Sequence, residues 1–155
     1  DEKHAARVFN LSRQDVAGFE SYARKIAALF PPRDPVLRDL MEGLFHIAMA
    51  DGAFHPAEEA FLRRVAEVFG LGEPCFRSMM VQFVPGADPD PFDLLELPQD
   101  ATLDQARAAF RRMVRETHPD AMRARGVPEE AVRLAEDRLK ALNLAWDEVQ
   151  QRAAA

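Results

Sequence analysis

Apolar residues recur at three- and four-residue intervals along almost the whole chain, and no stretch alternates apolar with polar at the two-residue period of a strand. The pattern predicts an all-α protein. Val16, Phe19, Ala23, Ile26 and Leu29/Phe30 line one face of a helix over residues 13–30. Asp34 and Pro35 supply the N-cap and first residue of the next helix, with Leu37, Leu40, Met41, Leu44, Ile47 and Ala48 inward and a stop at Asp51-Gly52. A third helix begins at Pro56, turns Ala60, Phe61, Val65, Val68 and Phe69 inward, ends at Gly70, and forms a hairpin with the second. Phe76, Met79, Met80 and Phe83 mark a fourth over 74–84, which closes a small bundle. Phe and Met at these spacings are core positions rather than cofactor contacts.

Residues 84–91, VPGADPDP, hold three prolines and a glycine without apolar periodicity, the composition of a linker or stiff turn. The expected organisation is a helical domain over 1–84, a linker over 85–90 and a second domain over 91–155. Asp90-Pro91 opens a short apolar helix, Phe92–Leu97. Thr102 and Gln105 then form a capping-box pattern ahead of a helix whose Leu103, Ala106, Phe110, Met113 and Val114 face inward. Pro119 ends that helix, because the residue before a proline is pushed out of the α region. A loop, AMRARG, leads to Pro128 and a long helix with Ala131, Leu134/Ala135, Leu139, Leu142, Ala145/Trp146 and Val149 inward. Two long amphipathic helices joined this closely should pack antiparallel.

Composition narrows the function. Hydrophobic residues are 48% and charged residues 30% of the 155, the balance of a globular chain. One cysteine, Cys75, excludes an internal disulfide and a cysteine zinc cluster. No stretch approaches the roughly 20 apolar residues that span a bilayer, so the expected compartment is the cytoplasm, with an anchor upstream of Asp1 left open. A net charge of -6 argues against nucleic acid. Against that background Arg107, Arg111, Arg112 and Arg115 face only Asp104 and Glu116 between Thr102 and Thr117, a basic stripe suited to an acidic partner surface.

A short helix PFDLLEL, a basic helix TLDQARAAFRRMVRET, the tripeptide His118-Pro119-Asp120 and a long helix ending in ALNLAWDEV together resemble the J domain of DnaJ-type co-chaperones over roughly residues 90–150. The stretch HIAMADGAFHPAEEAFLRRVAEVFGL resembles the second half of a TerB-like helical domain, with its ADG turn and acidic helix start. TerB followed by a C-terminal J domain is the DjlA-type architecture. That resemblance implies stimulation of ATP hydrolysis by a DnaK-type chaperone. His118, Pro119 and Asp120 match the trigger; Arg107, Arg111, Arg112 and Arg115 match the docking helix. It also implies no catalytic site of its own and no cofactor, and a TerB-like half that binds an unknown partner or self-associates. The DjlA type carries an N-terminal membrane anchor, and the first TerB helices are expected to lie upstream of Asp1. Three departures stand out: Ala121 where many J domains have lysine, Phe92 for the common tyrosine, and no room for the usual fourth helix.

Three other chemistries have candidate residues in the chain. His118 and Asp120 could form a proton-transfer pair, but no nucleophile or metal site accompanies them. Asp51, Glu58 and Glu59 are weak candidates for a hard cation; without the alternating oxygen ligands of a calcium loop, they read better as cap and first-turn charges. His4, His46 and His55 form no ligand-like group. The alternative from another class is a stress-response adaptor whose J-like domain is structural.

Overall fold

The computed structural model describes residues 16–86 and 90–155. The first residues of the expected 13–30 helix, His4, and residues 87–89 of the expected linker lie outside the described residues. Eight helices are described: α1 (Val16–Ala27), α2 (Pro35–Ala48), α3 (Pro56–Val68), α4 (Glu73–Phe83), α5 (Pro91–Leu94), α6 (Leu103–Thr117), α7 (Pro119–Ala124) and α8 (Glu129–Ala154). No strand occurs among the described residues, in keeping with the all-α expectation.

The chain forms two compact units, residues 1–76 and 77–155. The division falls inside α4 rather than in the proline-rich stretch. The reason is visible on the later turns of α4: Ser78 Oγ donates to Leu94 O at 3.0 Å, and Val81 packs against the core of the second unit.

In the first unit, Asp34 caps α2 by accepting from Val36 N–H at 2.9 Å, and Pro35 occupies the first helical position. The buried face of α2 is Leu37, Met41, Phe45 and Ala48, rotated from the expected stripe so that Leu40 is exposed. That rotation buries Arg38 and Glu42, which pair at 3.2 Å one turn apart, while Arg38 Nη1 also donates to Cys75 Sγ at 3.4 Å. Phe45 lies 5.5 Å from Phe76 and 6.1 Å from Phe54, ring centre to ring centre. On α3, Leu62 and Ala66 are buried beside Phe61 and Val65, and Ala60 faces out. Gly70, at φ 70°, and the Leu71 N–H to Ala66 O bond of 2.9 Å end this helix in the left-handed stop expected there.

In the second unit, α6 and α8 pack antiparallel, with α5 against the far end of α8. Leu94, Leu95, Ala106, Met113, Leu142, Ala145 and Val149 form its main core, joined by the stacked rings of Phe110 and Trp146 at 5.4 Å. Thr102 and Gln105 make the expected capping box: Gln105 N–H donates to Thr102 Oγ1 at 3.2 Å, and Thr102 N–H to Gln105 Oε1 at 2.8 Å. Leu103 is exposed, and Ala109 takes its expected place inside. On α8 the buried positions include Val132 and Arg138, where Ala131 and Leu139 were expected.

Candidate functional site

Where a loop was expected after Pro119, the chain forms α7. His118 is extended at φ -60° and ψ 133°, the conformation favoured before proline, and so closes α6 and opens α7 at once. Its Nδ1 accepts from Asp120 N–H at 3.2 Å, serving as a side-chain N-cap, and Pro119 sits at the first helical position where no N–H is needed. The other end stops at Gly126, φ 82°, with Gly126 N–H bonded to Arg123 O and Val127 N–H to Met122 O. Six residues make too few hydrogen bonds to hold a helix alone. Burial of Met122 against Val132 and Ala135, with Val127 alongside, fixes α7 on the first turns of α8.

The result is a rigid corner with its polar groups outward. The side chains of His118 and Asp120 are 56% and 83% exposed, with Nδ1 and Oδ2 3.9 Å apart. Arg123 stands on the outer face of α7. It donates to both oxygens of Glu129, from Nη2 at 2.8 Å and from Nε at 3.1 Å, and Nη1 lies 3.5 Å from Asp120 Oδ1. The Arg123 hydrogen bond is the main reason that the Glu129 carboxyl is held below the usual carboxylate range.

Arg107, Arg111 and Arg115 follow one another at four-residue spacing along α6, with Arg112 beside them. Arg107 pairs with Asp104 at 3.2 Å. Arg111, Arg112 and Arg115 are exposed, and no carboxylate among the described residues lies within ion-pairing distance of them. Their charge is therefore uncompensated locally, and it leads along the helix to the His118 corner. Just before that corner Thr117 is fully buried, and among the described residues its Oγ1 has no hydrogen-bond partner.

The three acids of the first unit do not converge. Asp51 Oδ1 accepts from Ala53 N–H at 3.0 Å, Glu58 Oε2 from His55 N–H at 2.9 Å, and Glu59 pairs with Arg63 at 3.2 Å. These are turn, cap and first-turn roles. Among the described residues no three His, Cys, Asp or Glu side chains are gathered to share an ion. Sequence reasoning missed a half-open cavity of about 340 Å³ between α1 and α3, whose apolar wall includes Phe19, Ala23, Phe61 and Val65 and whose rim carries Glu20 and Arg64. Those two rim residues are ion-paired, and the Arg64 hydrogen bond holds the Glu20 carboxyl below its ordinary value. No helix among the described residues is long and apolar enough to cross a membrane.

The family described as tellurite resistance protein TerB matches residues 1–81. Proteins named co-chaperone protein DjlA are similar over nearly the whole chain. The one from Photobacterium profundum is 24% identical, over 96% of this chain and 62% of its own length. The Shewanella oneidensis protein is 23% identical, over 95% and 61%, and the Escherichia coli protein 22% identical, over 95% and 63%. The chain thus spans about three-fifths of the length of the curated relatives it matches. No solved structure matches it.

Proposed function

The chain belongs to the TerB family and is DjlA-like over most of its length, and from that premise we propose that residues 91–155 are a J domain that stimulates ATP hydrolysis by a DnaK-type chaperone. The observation that carries the reading is the pairing of an uncompensated arginine face on α6 with an exposed, internally capped His-Pro-Asp corner at its end. Arg111, Arg112 and Arg115 steer an acidic chaperone surface towards α6 and hold it by forked hydrogen bonds to carboxylates, with Arg107 at the margin. Docking then brings His118 and Asp120 against the chaperone. Pro119 keeps the corner from yielding on contact, since its ring fixes the backbone and α7 is seated by Met122. The chain supplies no reacting group; it biases the conformation of the enzyme that does.

In the same reading the TerB unit binds a further partner or a second copy, and its apolar cavity supports that role. Titrating isotope-labelled chain with the nucleotide-binding part of a DnaK-type chaperone tests the docking half. Amide shifts concentrated on residues 107–120 are expected. Shifts confined to residues 16–76 would refute docking through α6 and favour an adaptor whose J-like unit is structural.

A further inference from the structure

Asp120 must offer its carboxylate to a partner, yet a cation of its own chain, Arg123, stands one helical turn away. The geometry shows where that cation is committed. Arg123 makes two bonds to Glu129, at 2.8 and 3.1 Å, in the fork that suits a guanidinium to a carboxylate, and only one contact, at 3.5 Å, to Asp120. Glu129 is the first residue of α8, held in place by the helix behind it, whereas Asp120 is 83% exposed and touches Arg123 only at 3.5 Å, a contact that would tighten if the fork were absent.

We infer that Glu129 is a positioning residue for the trigger: by holding the Arg123 guanidinium in a two-bond fork it keeps that cation from closing on Asp120. The trigger carboxylate stays available because a second carboxylate, nine residues after Asp120, absorbs the competing charge. The inference rests on the J-domain reading for its consequence, but the sharing of Arg123 is a property of the chain alone. It distinguishes Glu129 from a plain clamp, since a clamp fails whichever partner is removed, whereas here loss of Arg123 cures the loss of Glu129.

The test uses Glu129→Gln, Arg123→Gln and the double variant in the full chain, each first checked for unchanged helical content. In the chain alone, the Arg123 Nε–H resonance is followed with and without Asp120→Asn. Asp120→Asn should move that resonance little in the parent, where Nε is bound to Glu129, and at least several times further in the Glu129→Gln background. With a DnaK-type chaperone, Glu129→Gln should raise the concentration giving half-maximal stimulation roughly two- to fivefold, the range an exposed ion pair commands. The double variant should return to the level of Arg123→Gln. Equal response of the resonance to Asp120→Asn in both backgrounds would overturn the inference, as would a double variant no better than Glu129→Gln. If the parent gave no stimulation at all, the J-domain reading would fall while the resonance would still decide how Arg123 is shared.

Discussion

Met122→Ala isolates the support of the His-Pro-Asp corner from its chemistry. Met122 is 2% exposed and, with Val132 and Ala135, makes up the small cluster that seats α7 on α8, with Val127 packed at its edge. The substitution removes three heavy atoms, which at about 0.8 kcal/mol per methylene equivalent amounts to about 2.4 kcal/mol. Buried Met→Ala changes cost about 2–5 kcal/mol, and a cluster this small can partly collapse, so about 2 kcal/mol is the expected loss. Because a six-residue helix has no other apolar anchor, the loss should appear as local opening. Such a loss raises the opening equilibrium about thirtyfold, at about 1.4 kcal/mol per factor of ten. Amide hydrogen exchange reads this directly. Ala121–Gly126 should exchange about thirtyfold faster, while amides of α6 and α8 around Phe110 and Trp146, which belong to the other cluster, should change less than about threefold. Uniform acceleration through the second unit would refute the division into two clusters; an unchanged α7 would refute the anchoring role.

Three further outcomes follow from the same geometry. Thr117→Val keeps the shape of a buried side chain and removes an unpaired hydroxyl, so thermal unfolding should show stability unchanged or raised by up to about 1 kcal/mol; a loss above that size would reveal a partner for Oγ1. Replacing Arg111, Arg112 and Arg115 together by Gln should slow association with a DnaK-type chaperone about tenfold or more in low salt and have little effect near 1 M salt, measured by stopped flow. Burial pushes the Asp90 carboxyl up, but hydrogen bonds from Gln99 and from the N–H groups of Phe92 and Asp93, with Arg152 nearby, leave it below its ordinary value. A group lowered on folding stabilises above its unfolded value and loses that contribution as pH falls through the folded one, so Asp90→Asn should flatten the stability decline below about pH 4, seen in acid unfolding curves.

The helices were legible where apolar spacing and caps agreed. Asp34-Pro35, Thr102 with Gln105, and Gly70 each act in the structure as their residue types dictate. Apolar spacing does not report burial where an ion pair sits in a core. Arg38 and Glu42 look like surface residues in a pattern of apolar positions, yet their mutual bond lets α2 turn them inward and bring Phe45 to the centre. Arg138 on α8 is likewise a charged residue in a buried position. At the corner, the residue before Pro119 marks a helix end, but proline is also favoured at a first helical position, and the following AMRAR has good helix formers, so α7 begins there. The placement of the candidate trigger was legible: His118, Pro119 and Asp120 fall together at the end of the arginine helix. The Arg123 fork was not, because its partner Glu129 lies beyond a glycine turn whose direction no spacing rule gives.

The central claim is tested most directly by single-turnover ATP hydrolysis on a DnaK-type chaperone in the presence of this chain, beside folded His118→Gln and Asp120→Asn variants. The account predicts acceleration by the parent chain that rises with its concentration and is lost in both variants. No acceleration by the folded parent over a wide concentration range, with more than one such chaperone, would contradict it.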